Sequence, residues 1–432
     1  MQLTAAAGRE PEAAAGGAPV ARGVAGVSAA EVGGSRPIRR PRGTGGARRG
    51  AWRALLRPLA LGAALVVLAP AAHAERGGPT VDTVLQAPSA KPDGPVGVEA
   101  AMRVNTYFDN DGNKIVTPLV AVTATLGDTG QVTLDAHASV DIMTCASIDV
   151  LSAATPHGYF REVRKETGGD ASVKLGDWTL SGGAVYSKEN DYSSISGNFG
   201  AAKELNQKNT TVAVGYSYTD SNVGRSHDPT FNKDLASHTV TATVTQVLSK
   251  SLVGQVSYFM GYLDGFQSSP YRHVRIATGI TAPESAPNVR VRNAVALRVK
   301  AALAPDHFLS GDYRAYIDSW GLTSHTVEVG YTWQMLPWLA WRLRDRFYAQ
   351  SSTDFYAWTY NVPRKYMSSD RESGAFWGDL VGLRASFQPD IGRTQKLTID
   401  LKFDFMYQKF KDFTLLPERL MYVTELGATW AF

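Results

Sequence analysis

From about position 96 onward the chain alternates apolar and polar residues one by one. The clearest stretch is 397–407. Leu397, Ile399, Leu401, Phe403, Phe405 and Tyr407 form one set, and Thr398, Asp400, Lys402, Asp404 and Met406 the other. Successive side chains of an extended strand point to opposite faces, so this segment has one apolar and one charged face; a helix would mix the two sets. The pattern recurs. Val289, Val291, Val295, Leu297 and Val299 alternate with Arg290, Arg292, Arg298 and Lys300. Val327, Val329, Tyr331 and Trp333 oppose Glu328, Thr332 and Gln334. Val212, Val214, Tyr216 and Tyr218 oppose Ala213, Gly215, Ser217 and Thr219. Trp341, Leu343 and Phe347 oppose Arg342, Arg344 and Arg346, with Asp345 an exception on the apolar face.

Two architectures use such strands. A soluble sandwich hides its apolar faces inside; a membrane barrel turns them to lipid and keeps a wet lumen. The barrel is favoured here, because the apolar faces end in Tyr and Trp, as interfacial girdles require. The opposite faces are rich in Gly, Ser, Thr and paired charges, and short and long connections alternate. The reading is an all-β fold, a closed transmembrane antiparallel β-barrel with short periplasmic turns and longer extracellular loops. Strands fall near 96–108, 114–126, 131–143, 159–175, 178–189, 193–204, 210–220, 236–248, 252–263, 288–302, 307–318, 324–334, 338–350, 376–387, 396–410 and 419–432. That is about sixteen, with fourteen or eighteen also compatible with the length. The charged stretch Arg161, Glu162, Arg164, Lys165 and Glu166 is too polar for lipid and is expected to stand above it. Loops are expected near 144–158, 221–235, 264–287 and 351–375, with 264–287 the candidate plug.

The segment before the barrel reads as an address. Residues 1–50 are Ala/Gly/Pro/Arg-rich and cannot bury a core, so they read as a disordered extension. Within 51–74, Arg53 and Arg57 precede the apolar run Leu59–Ala69, which ends in Pro70 and the small-residue site Ala72-His73-Ala74. This is a signal-peptide pattern with cleavage after Ala74, implying Sec-type export; Arg48-Arg49 only hints at the twin-arginine route. Residues 75–95 are a Pro-containing periplasmic lead-in, and 96–432 the barrel. The first 74 residues hold ten Arg and three Glu, so the remainder is slightly acidic and has no basic stripe for nucleic acid. One Cys excludes an internal disulfide framework.

The main candidate site is an inward charge ladder: Arg290, Arg292, Arg298, Lys300, Asp312, Arg314, Asp318, Arg342, Arg344 and Arg346. Such rings tune ion entry into pores, and its basic excess suggests a mild anion preference. The competing reading is that Asp312, Asp318 and Glu328 pair with the Arg residues and fill the interior. Asp109, Asp111 and Asn113 resemble a calcium-loop fragment, although Asp-Gly is also a hairpin turn, which is the favoured reading. Glu189 and Asp191, with Asp135, Asp141 and His137, read as rim or lumen groups rather than a metal or acid–base site. Cys145 reads as an inert thiol. No metal or cofactor is expected, and no hydrolase, metalloprotease or phosphate-loop motif marks an enzyme. The final strand places Tyr422, Thr424, Leu426, Ala428, Trp430 and terminal Phe432 on one face, resembling the recognition tail of outer-membrane barrels.

Several strings resemble the DUF3570 family of uncharacterised bacterial outer-membrane proteins. They are Ser147–Pro156, Tyr186–Ser194, Tyr313–Gly321 and Arg344–Gln350. The resemblance implies a Gram-negative outer-membrane barrel without an assigned substrate. Through the flavin-transfer and thioredoxin-like proteins that accompany such barrels, it also implies a link to envelope redox chemistry. The first functional reading is a passive channel or conduit for small solutes or ions. The alternatives are a plugged barrel that scaffolds an envelope redox or assembly complex, and a barrel enzyme acting on lipid. Expected partners are lipid, lipopolysaccharide and the barrel-assembly machinery, with any periplasmic partner unknown.

Overall fold

The computed structural model describes residues 96–127, 131–145, 160–226, 228–277, 279–392 and 395–432. The extension, the signal peptide with Ala72 and Ala74, the lead-in, the Cys145 side chain and the Ser147–Pro156 string lie outside the described set. The strands are β1 (Val96–Asp109), β2 (Lys114–Leu126), β3 (Val132–Cys145), β4 (Phe160–Leu175), β5 (Trp178–Lys188) and β6 (Tyr192–Leu205). Then come β7 (Thr210–Gly224), β8 (Asn232–Ser249), β9 (Leu252–Gly265), β10 (His273–Arg275), β11 (Thr281–Pro283) and β12 (Val289–Ala304). Last are β13 (His307–Asp318), β14 (Thr323–Leu336), β15 (Leu339–Gln350), β16 (Phe376–Phe387), β17 (Lys396–Phe410) and β18 (Glu418–Ala431).

Apart from β10 and β11, these strands form one closed ring of sixteen among the described residues, each paired antiparallel with its neighbours. β1 and β18 close it, in register from Glu99↔Ala431 to Asp109↔Met421. The Phe432 N–H adds a last bond to the Val98 carbonyl at 2.9 Å. Closure matters because lipid offers no partner for a free sheet edge. Most boundaries fall within two residues of the sequence reading, and β2, β13, β16 and β17 coincide with it. The larger difference is at 221–235, where β7 and β8 run on to Gly224 and from Asn232. There polar residues such as Asn222 and Asp234 pair as strand, because backbone pairing continues above the apolar belt.

The burial pattern is inverted. On β17, Leu401 and Phe403 are 54% and 46% exposed, while Asp400 and Asp404 on either side of them are 1% and 3% exposed. A sandwich would show the opposite, so this ring turns its apolar face out. Aromatic residues mark both ends of the belt. Toward the long loops stand Tyr186, Tyr262, Tyr422 and the stacked pair Phe347–Trp377. Toward the short turns stand Trp178, Trp333, Trp338 and the stacked pair Trp430–Phe432. Histidines on the outer face are each given a phenol: His238 by Tyr216, His325 by Tyr313 and His307 by Tyr331.

The two longest connections, 266–288 and 351–375, fold together instead of one acting alone as a plug. The β10–β11 hairpin packs Val274 and Ile276 against Tyr360 and Met367. A second small core holds Ala286, Trp320 and Phe355. Arg272 binds Glu284 and Asp370 at 3.1 and 3.2 Å. This cap is tied to the loop-end rim. Tyr271 donates to Asp191 beside β6, Arg371 pairs with Asp111 between β1 and β2, and Glu372 pairs with Arg419 at 2.9 Å.

A candidate lumen site

Strand parity places every member of the predicted ladder inside the ring. Arg298 faces its register partner Asp312 and pairs with it. Arg290 reaches Asp318 through Nε at 2.8 Å and lies 4.2 Å from the Trp320 ring centre. Asp318 is also a turn residue, its Oδ1 accepting from the Trp320 and Leu322 N–H groups at 2.9 and 3.1 Å. Glu328 sits between Arg342 at 3.4 Å and Arg344 at 3.8 Å. Arg314 lies 5.4 Å from the Tyr316 ring. Arg292 and Lys300 follow the same inward parity on β12, as does Arg346 on β15. Asp345, the exception, faces outward in the row of Val329 and Val381.

Three ladder members thus share acids on their own wall, and Arg344 reaches beyond it. Its Nη2 lies 2.7 Å from Asp404 Oδ2 on β17, with β16 running between. The crossing is possible because the β16 residue in that row is Gly382. A Cβ there would lie 2.2 Å from Asp404 Oδ1 and 2.8 Å from Arg344 Nε. The same device recurs on the opposite side. Asn198 on β6 donates to Asp170 on β4 at 2.9 Å across Gly183, whose Cβ would fall 2.0 Å from Asp170 Oδ1. Inward glycines therefore let side chains two strands apart meet.

Sequence reasoning missed the partners on β16–β18 and β1. Arg384 binds Asp400 at 2.8 Å, Lys402 binds Asp404 at 3.1 Å, and Arg103 approaches Glu425 at 3.9 Å. The alternation of Asp400, Lys402 and Asp404 was a visible signal, but partner choice depends on register and on Gly382. Around the ring, β3 and β4 present Asp135, Asp141, Glu162, Glu166 and Asp170 with only Arg164 and Lys174 as cations. Arg164 pairs with Asp141, which also accepts from Thr117 at 2.6 Å, while Asp135 accepts from Thr123 at 2.6 Å. The wall between, β5–β9, is mostly Ser, Thr, Gly and Ala. Thr239, Thr241, Thr243 and Thr245 line β8 inside.

Asp109, Asp111 and Asn113 close a turn. Asp109 Oδ1 accepts from the Asp111 and Asn113 N–H groups at 3.1 and 2.8 Å, and Asp111 belongs to Arg371. Glu189 and Asp191 meet neither Asp135 nor Asp141 but join Glu162. Oxygens of these three lie within 4.8 Å of one another, the one such group among the described residues within reach of a single cation. Glu162 stands five residues past the level of Tyr186, above the apolar belt. Burial, then the Asp191 and Glu189 carboxylates, pushes its carboxyl up to about 8.

No curated protein matches the chain. Among solved structures, the outer membrane protein OpdK of Pseudomonas aeruginosa aligns over 78% of this chain and 98% of its own, at 9% identity and TM-score 0.41. CdiB of Acinetobacter baumannii aligns over 78% of this chain and 60% of its own, at 9% identity and TM-score 0.46. A bacterial polysaccharide outer membrane secretin aligns over 79% of this chain and 100% of its own, at 8% identity and TM-score 0.45. The model of the family described as "Protein of unknown function (DUF3570)" matches residues 117–241 and 226–414, and the chain belongs to that family.

Proposed function

We propose that the protein is a bacterial outer-membrane β-barrel that acts as a passive conduit for small solutes or ions. The observation that carries the reading is the inverted ring: an apolar, aromatic-edged exterior around a charged and hydroxyl-lined interior. Sixteen strands enclose a lumen wide enough for an aqueous channel. No enzymatic role is assigned, and no cofactor is invoked. Sec-type export, insertion by the barrel-assembly machinery through the Tyr422–Phe432 strand, and contact with lipid and lipopolysaccharide complete the proposal.

The cap favours a second reading, a plugged barrel that scaffolds an envelope complex. It has its own apolar cores and ties to several rim connections. Single-channel recording of residues 75–432 in a planar bilayer separates the two. Stable stepwise currents support the conduit. A folded but silent barrel refutes it and directs attention to periplasmic partners.

A further inference from the structure

We propose that the lumen favours zwitterionic solutes over neutral ones of equal size, because it carries a charge dipole across its width. The inference rests on the conduit reading. The basic wall is β12–β15 and the acidic wall is β3–β4. In the ring order, β14 and β4 stand eight places apart, as do β13 and β3. In a ring of sixteen that is the largest separation available, so the two walls face each other across the lumen. Inward residues of β12–β15 comprise eight cations against Asp312, Asp318 and Glu328. Inward residues of β3–β4 comprise four carboxylates, Asp135, Asp141, Glu166 and Asp170, with the protonated Glu162 above them, against Arg164 and Lys174.

Ion pairing within a wall leaves these excesses in place, since each pair removes one charge of either sign. The flanks do not cancel them. β5–β9 are mainly hydroxyl-lined, and β16–β18 interleave cations with carboxylates, as in Arg384–Asp400 and Lys402–Asp404. A net ion entering this space is drawn to one wall and repelled by the other. A zwitterion can orient with its cationic end to β3–β4 and its anionic end to β12–β15. The anion preference that the Arg ladder alone suggests is therefore opposed by the facing wall. Screening sets the range: the Debye length is about 30 Å at about 0.01 M salt and about 3 Å at about 1 M. The preference belongs to low salt.

The test is swelling of proteoliposomes carrying the folded barrel, with glycine against its neutral isomer glycolamide. Glycine is expected to enter about threefold faster at low salt, the enrichment that an interaction of roughly RT gives, and the advantage is expected to vanish at about 1 M salt. Asp135→Asn with Glu166→Gln should bring the ratio toward one and shift the reversal potential toward anions. Arg342→Gln with Arg346→Gln should shift it toward cations. Lys203→Gln, on the outer face, should leave the ratio as in the unaltered chain. Equal rates for the two isomers at low salt overturn the inference while leaving the conduit standing. So does strong anion selectivity that ignores the β3–β4 substitutions. Entry of neither solute through a folded barrel removes the conduit and this inference with it.

Discussion

Gly382→Ala probes the interior logic of the barrel directly. The added methyl would lie 2.2 Å from Asp404 Oδ1 and 2.8 Å from Arg344 Nε, so the ion pair has to part. Both side chains are 4% exposed. Breaking a buried pair by deleting one partner costs about 3–5 kcal/mol. Here each partner keeps a second neighbour, Lys402 at 3.1 Å from Asp404 and Glu328 at 3.8 Å from Arg344. The expected cost is therefore smaller, about 2 kcal/mol. Urea unfolding of the barrel in phospholipid vesicles, followed by tryptophan fluorescence, measures it. In an Arg344→Met, Asp404→Leu background, the same Gly382→Ala change meets no ion pair and should cost under about 0.5 kcal/mol. An unchanged midpoint for Gly382→Ala alone, or an equal loss in both backgrounds, refutes the idea that this glycine exists to let β15 and β17 touch.

Four other expectations follow from single residues. Asp345 faces outward in the row of Val329 and Val381, so Asp345→Val should stabilise the barrel in vesicles by about 1 kcal/mol; a loss in the same urea titration would mean that this face is covered by protein instead of lipid. Between about pH 4.5 and 8 the folded chain keeps a proton on Glu162 that the unfolded chain releases, so this stability contribution is full below 4.5 and is lost as pH rises through 8. Glu162→Gln should flatten that slope and raise the urea midpoint above pH 8, and an unaltered slope counts against it. Asp111→Ala removes the Arg371 tie between cap and rim and should increase single-channel current noise or amplitude; identical traces would mean that the cap does not limit the path. Deleting Phe432 removes the stack on Trp430 and the bond to Val98, and should reduce the fraction of chain inserted in membranes, read from membrane fractions after expression.

How much was legible differs between the wall and what fills it. The strand pattern was readable because the outer face must be apolar at every second residue, a local constraint that each segment satisfies alone. Even Asp345 declared itself as an exception on that basis. The charge ladder was readable by the same parity. Its pairing was not, because Arg344 to Asp404 is a contact over sixty positions that depends on register and on one missing Cβ. The acidic trio shows a similar limit. Glu189 and Asp191 stood out in the sequence, but Glu162 lay in a stretch read only as too polar for lipid. The cap was also hidden. Its cores draw Val274 and Ile276 from one loop and Tyr360 and Met367 from another, and no periodicity links them.

This division has a physical cause. In a soluble domain the apolar core carries both stability and specificity. Here the apolar residues face outward in an array of interchangeable Val, Leu and aromatic side chains, which tells a strand to span but not which strand to join. Specific pairing falls to the interior, where Arg298–Asp312 links neighbours and Arg344–Asp404 and Asn198–Asp170 link strands two apart. Those same groups set the field in the lumen. A lumen substitution that breaks one of these pairs is expected to change both permeation and stability, while one on the outer face changes neither unless it introduces charge. Selectivity and folding of this barrel are therefore expected to move together in lumen variants and apart in surface ones.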